Sequence, residues 1–243
     1  MKLNPFFILL TVFVLITHAQ ELQNQQLDSV LISSTRIDLP FKENSRTITV
    51  ISALEIKNAA ATNVADLLQQ VTGVDIRRRG TGGSQADLQI RGGGFDQTLL
   101  LIDGIKMDDA QTGHHTMNAA LPLEVIERIE IIKGPAARVF GQNAFTGAIN
   151  IVTKKNLDNS VSINLETGSF NQLNASITVG TELENSSHII HVGKLTSEGY
   201  RNNSDYDNSN YFLKSTFNKN VQPIELIATF FDRKFGAENF YTT

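Results

Sequence analysis

The sequence predicts an α+β domain, a small mixed sheet with short helices, followed by a run of antiparallel strands. Three observations lead there. Between residues 46 and 153, short β-type segments and stretches of helical periodicity succeed one another at close spacing. Asp103-Gly104 sits between two apolar runs and favours a tight type I′ hairpin, whose two central residues both need positive φ. From residue 156 onward, apolar and polar residues alternate with a period of two over segments of roughly ten residues.

The chain opens on an address. Lys2 supplies a positive charge, residues 6–16 form an apolar stretch of 11 positions broken only by Thr11, and Thr17-His18-Ala19 offers small residues for cleavage before Gln20. The run is shorter than the ~20 residues a membrane-spanning helix needs, so it reads as a secretory signal peptide over 1–19. Residues 20–26 are polar and aperiodic, a flexible tether.

Within the mixed block, Ser52 and Glu55 form a capping-box pattern for a short helix. Val64, Leu67, Leu68 and Val71 fall on one helical face, with Thr62 or Asn63 as start cap and Gly73 as stop. Strands are expected over 46–51, 74–77, 87–91, 98–102, 128–133 and 148–153. Pro135 suits the first turn of a short helix ending at Gly141.

In the last block, Val161, Ile163 and Leu165 alternate with Ser162, Asn164 and Glu166; Leu173, Ala175, Ile177 and Val179 form a second such face. Ile190 with Val192, Tyr211 with Leu213 and Phe217, and Ile224 with Leu226, Ala228 and Phe230 continue the pattern. Transmembrane barrel strands show this alternation, and so does a soluble antiparallel sandwich. Periodicity alone leaves both open.

Composition narrows the chemistry. The 243 residues include no cysteine, which excludes disulfides, thiolate metal sites and cysteine nucleophiles. With 21 basic and 25 acidic residues, a net charge of −4 argues against a nucleic-acid partner, and Arg77-Arg78-Arg79 reads as a solvated strand end. No G-x-G-x-x-G, P-loop or G-x-S-x-G motif occurs, and no nucleophile–base set appears, so an enzyme is not expected and no cofactor is assigned. Adjacent His114 and His115 point different ways in regular structure, and His188 and His191 face opposite sides of a strand. No metal site is assigned. Asp205 and Asp207 alternate as calcium ligands often do but lack the rest of an EF-hand, and a polar loop explains them equally.

An ordered set of motifs carries a resemblance. It comprises Leu27 followed by Asp28, Ser29, Val30, Leu31, Ile32 and Ser33, then Leu67-Leu68-Gln69-Gln70-Val71-Thr72-Gly73-Val74, Ile90-Arg91-Gly92 and Leu100-Leu101-Ile102-Asp103-Gly104. The run Ile126-Glu127-Arg128-Ile129-Glu130-Ile131-Ile132-Lys133-Gly134-Pro135 follows, then Val139-Phe140-Gly141 and Gly147-Ala148-Ile149-Asn150-Ile151-Val152-Thr153-Lys154. Taken together, the chain resembles the N-terminal part of the TonB-dependent outer-membrane receptors. The resemblance implies a tether and TonB box over 20–35, an α+β plug over 36–155 and antiparallel transmembrane β-barrel strands over 156–243, the barrel incomplete.

The resemblance also implies function: import of a scarce nutrient such as cobalamin or a ferric siderophore, in the bacterial outer membrane. The expected partners are TonB, energised by the inner-membrane proton gradient, a small nutrient ligand, outer-membrane lipid and a surface lipoprotein. Asp28, Ser29, Val30, Leu31, Ile32 and Ser33 would be the TonB box, an extended segment able to add as an edge strand to a partner sheet. Plug apices would touch the ligand through Gly82, Gly83, Ser84 and Gln85 and through Thr112, Gly113, His114 and His115. Arg91 and Lys133 would latch the plug to barrel-wall glutamates, Lys133 lacking the bidentate fork of the arginine commoner there. With only a short tether before the box, transcriptional signalling and glycan import are disfavoured.

Length then matters. Residues 156–243 hold four or five strands at ~10 residues each, whereas bacterial barrels close with at least ~8 and plugged ones with ~22. The expectation is an N-terminal piece of a longer receptor, whose open edge favours aggregation in water. The alternative is a secreted plug-like binding module without a barrel, and the reading frame beyond Thr243 separates the two.

Overall fold

The computed structural model describes residues 31–32, 39–40, 48–80, 82, 85–107, 114, 116–117, 121–218 and 220–237. Two short strands, β1 (Leu31–Ile32) and β2 (Leu39–Pro40), pair antiparallel.

The mixed block begins with β3 (Ile48–Ser52) and α1 (Ala53–Asn58). The capping box forms: Ser52 Oγ accepts from the Glu55 N–H at 3.3 Å, and the Ser52 N–H donates to Glu55 Oε2 at 2.7 Å. Next comes α2 (Val64–Gln69), capped by the Asn63 side chain, which accepts the Asp66 N–H at 3.0 Å. Val64, Leu67 and Leu68 are buried, as the helical face requires. The helix stops one turn sooner than its apolar pattern suggests: Gln70 is the C-cap, and Gly73, at φ +81°, turns the chain into β4.

The remaining strands are β4 (Val74–Arg78), β5 (Ala86–Ile90), β6 (Thr98–Ile102), β7 (Ile105–Met107), β8 (Ile126–Lys133) and β9 (Gly147–Thr153), with α3 (Ala137–Phe140) before the last. β4 and β5 make a separate hairpin, while the main sheet runs β3-β8-β9-β6-β7. It is mixed, because β6 and β9 pair parallel and the other neighbours antiparallel. Every residue of β6 and β9 is buried. Leu100, Ile102, Ile129, Ile131, Ile149 and Ile151 pack towards α1, α2 and the β4–β5 hairpin, while Leu99, Leu101, Ile132 and Ala148 form a second cluster. A strand covered on both faces has no polar side, which is why Leu99 to Ile102 is an unbroken apolar run. Asp103 and Gly104, at φ +48° and +79°, make the tight turn from β6 to β7.

Five long strands follow: β10 (Ser160–Gly168), β11 (Gln172–Glu182), β12 (Ser186–Ser197), β13 (Tyr206–Phe217) and β14 (Ile224–Phe235). They pair antiparallel in chain order, and among the described residues the sheet does not close on itself. Register turns the sequence alternation into rows. Val161, Val179, Ile190, Leu213 and Ala228 stand side by side on one face, next to a row of Ile163, Ile177, Val192, Tyr211 and Phe230. This outer face is apolar and uncovered, with Ile163 75% and Phe230 63% exposed. The opposite face carries Thr178, Ile189, His191, Phe212 and Lys214, all buried against the mixed block. On it His191 is held at both nitrogens: Thr178 donates to Nδ1 at 2.8 Å, and Nε2 donates to Asn210 Oδ1 at 2.9 Å. An apolar exterior with a polar interior face is the arrangement of a barrel wall in lipid.

Candidate functional site: the plug apex and its contacts with the wall

The apex grows out of the β4–β5 hairpin. Asp87 lies in β5 on the face away from Leu88 and Ile90, where alternation would expose it, yet it is buried. His114 covers it, donating from Nδ1 to Asp87 Oδ1 at 2.7 Å. Gln85 Nε2 donates to the same oxygen at 3.3 Å. The Phe95 ring packs on the His114 imidazole with centroids 4.1 Å apart. Gln85 and His114, two of the expected ligand residues, therefore meet on one carboxylate. Gly83, Ser84, Thr112, Gly113 and His115 lie outside the described residues. Asp87 and Phe95 were not marked by motif or spacing; the only sequence signal is a lone acid in a strand ahead of a histidine-bearing loop.

Gly82 marks the other side of the apex. Its φ is +65°, and a Cβ there would clash with the Tyr206 ring of β13. Its carbonyl accepts from Asn208 Nδ2 of the same strand. The apex and the wall are thus in direct contact.

Further contacts join the two lower down. Lys214 Nζ donates to Thr153 Oγ1 at 2.8 Å and to Asp103 Oδ2 at 3.2 Å. Ser176 Oγ donates to Glu124 Oε1 at 3.1 Å, and Ser187 Oγ to the Lys155 carbonyl at 3.3 Å. Lys154 donates to the Glu124 carbonyl at 2.7 Å; burial pulls its ammonium below the ordinary lysine value, against the opposing pull of Glu124 and Glu127.

Arg91 lies near enough to Lys133 for the two positive charges to act on each other. Burial and then the charge of Arg91 lower the pKa of Lys133. Among the described residues neither forms an ion pair. Arg91 holds a left-handed backbone, φ +51°, with its N–H donating to the Gly73 carbonyl at 2.9 Å. Of the calcium candidates, Asp207 is engaged by Lys194, and the Asp205 carbonyl accepts from the Gly236 N–H at 2.8 Å. Among the described residues no group of three or more His, Asp or Glu is placed to hold a metal ion. Of the TonB-box positions, Leu31 and Ile32 are strand, paired with Pro40 and Leu39. Asp28, Ser29, Val30 and Ser33 lie outside the described residues.

Comparison with known proteins agrees with this architecture. Residues 40–148 match the family model of the TonB-dependent Receptor Plug Domain. The vitamin B12 transporter BtuB of Vibrio vulnificus is 36% identical over 136 residues, 56% of this chain and 22% of its own length. The BtuB of Vibrio cholerae is 30% identical over 185 residues, 75% of this chain and 30% of its own. The chain therefore spans less than a third of these curated relatives. Among solved structures, the pyoverdine outer membrane receptor FpvA of Pseudomonas aeruginosa superposes with a TM-score of 0.72 at 18% identity, covering 84% of this chain and 30% of that one. The ferric-catecholate import receptor Fiu of E. coli gives 0.65 at 22%, covering 80% and 28%. The relatives are named as vitamin B12 transporters, and the neighbours in fold as an outer membrane receptor and an import receptor. Residues 40–148 thus form a plug domain of the TonB-dependent receptor type, and an outward-apolar antiparallel sheet follows it.

Proposed function

We propose that the protein imports a scarce nutrient across the outer membrane, drawing on TonB and the inner-membrane proton gradient. The observation that carries this is a plug packed against the polar side of a sheet whose other side is apolar and bare. A secreted module in water would leave Ile163 and Phe230 facing solvent; a bilayer covers them.

In this reading the plug spans residues 36–155 and the barrel begins at 156, after a signal peptide over 1–19 and a tether and box over 20–35. Asp28 to Ser33 offer main-chain groups to a partner strand, so Leu31 and Ile32 must exchange their pairing with Pro40 and Leu39 for one with TonB. The ligand meets the apices at 82–85 and 112–115, where the Asp87–His114 pair fixes one ring beside the opening. Arg91 and Lys133 pair with wall glutamates, which also relieves their mutual repulsion. A surface lipoprotein assists capture.

Cobalamin is the first candidate, because relatives named as vitamin B12 transporters share 30% identity or more with this chain. Ferric siderophores are the second, supported by likeness of fold. The test is uptake of labelled cyanocobalamin and of ferric siderophores by cells expressing the gene, with Leu31→Pro beside the unaltered protein. Proline deletes a main-chain donor, so uptake should vanish while ligand binding persists. Undiminished uptake in Leu31→Pro sinks the TonB-box assignment, and uptake of neither ligand class sinks the substrate assignment.

A further inference from the structure

We infer that Lys214 is the anchor that holds the plug's β6–β7 hairpin to the barrel wall. Lys214 lies in the second half of β13, on the inner face, and is 3% exposed. Its register neighbours on either side are Ile189 and Ile227. An ammonium in such a row is strongly unfavourable unless its protons are taken up by acceptors. Two acceptors come from the plug, Asp103 Oδ2 at 3.2 Å and Thr153 Oγ1 at 2.8 Å. The third, Glu225 Oε2 at 3.6 Å, comes from the neighbouring wall strand and is half-exposed.

The plug side of the cluster is itself fastened. The Asp103 carboxylate also accepts from the Thr153 N–H at 2.7 Å and from its hydroxyl at 2.5 Å, so the hairpin tip is bolted to the end of β9. The polar chain continues inward. The Gly104 N–H donates to Asn150 Oδ1 at 3.0 Å, Asn150 Nδ2 donates to Glu130 Oε2 at 3.2 Å, and Arg128 Nε donates to Glu130 Oε1 at 2.9 Å. The barrel contact thus reaches through β6, β9 and β8.

The inference rests on the family reading only in taking β10–β14 as a membrane wall. The chain contains no cysteine, so Ile102→Cys places a single thiol on a buried position beside Asp103. The experiment measures maleimide labelling of that thiol in outer-membrane vesicles from cells expressing the gene's full product. Heat-modifiable gel migration reports barrel formation separately. With Lys214→Met or Asp103→Asn added, labelling should accelerate by at least about tenfold, because one member of a buried charge pair loses its counter-ion across the seam between plug and wall. Lys194→Met, which breaks an outward ion pair with Asp207, should leave it unchanged. If Lys214→Met blocks barrel formation, Asp103→Asn decides alone, since it leaves the wall sequence intact. Unchanged labelling in the folded variants, or equal acceleration by Lys194→Met, overturns the anchor. Failure of the unaltered protein to migrate as a barrel overturns the wall reading instead.

Discussion

Asn150 and Glu130 face each other across β9 and β8, buried at 1% and 0% exposure, joined by a hydrogen bond of 3.2 Å. They form the polar seam of a sheet otherwise packed with isoleucine and leucine, and Arg128 closes it from the rim.

Truncating the acid should therefore be severe. Glu130→Ala leaves Arg128 without its buried partner and Asn150 without an acceptor, at a cost of about 3–5 kcal/mol to the plug. Glu130→Gln, which keeps an acceptor for Asn150, should cost less. Amide exchange of β8 and β9 in detergent-solubilised protein measures both, and equal exchange in Glu130→Ala and the unaltered protein would remove the seam's importance.

The α1 cap should respond to acid. Hydrogen bonds from the Ser52 backbone and then its side chain hold the Glu55 carboxyl below the ordinary glutamate value. A depressed carboxyl stabilises the fold above its unfolded pKa and loses that contribution as pH falls through the folded one. The first turn of α1 should thus fray below about pH 4.3. Ser52→Ala should cost about 1 kcal/mol at neutral pH and flatten this dependence. Exchange rates of the α1 amides across pH 3 to 7 check it.

Arg91 and Lys133 offer a titration test. Where no wall glutamate engages Lys133, as in the chain of residues 1–243, its charged form is disfavoured in the folded plug, so stability should rise with pH just below the ordinary lysine value, where the unfolded chain binds the extra proton. Lys133 should also acylate faster at mildly alkaline pH than an ordinary exposed lysine, and Arg91→Gln should slow it. Mass-spectrometric quantitation of the acylated peptide reads the rate; no change in Arg91→Gln would mean that Arg91 contributes nothing.

Gly82→Ala should disturb the apex twice over, through a left-handed backbone unfavourable by about 1–2 kcal/mol and through a clash with the Tyr206 ring. Adding Tyr206→Ala should relieve the clash and leave the backbone strain, giving partial recovery. Limited proteolysis at the apex distinguishes the single from the double variant.

On the outer face, Ile177→Arg at the centre of β11 should destabilise the sheet in lipid by about 2–4 kcal/mol. Urea titration in liposomes measures it, and a change under 0.5 kcal/mol would argue against bilayer contact.

Local patterns were readable because they are local. Val64, Leu67 and Leu68 announce a helix face, Asp103-Gly104 a turn, and Val161, Ile163 and Leu165 an alternating strand. What depends on distant residues was not. Nothing near Leu100 says that it pairs parallel with Ile149. Asp87 reads as a solvent-facing residue until His114 lies over it. Lys214, between Leu213 and Ser215, reads as any lumen-facing polar residue of a barrel, because its partners belong to the plug.

The parallel pairing of β6 with β9 also governs the order of assembly. Asp103 and Thr153 are 50 residues apart, and Lys214 lies 111 beyond Asp103. Loop-closure entropy opposes such non-local contacts until most of the chain is present. A chain emerging from its N-terminus can therefore form the β4–β5 and β6–β7 hairpins early but must leave the other edge of Leu99 to Ile102 unpaired until β9 emerges. That interval is when this protein most needs a chaperone.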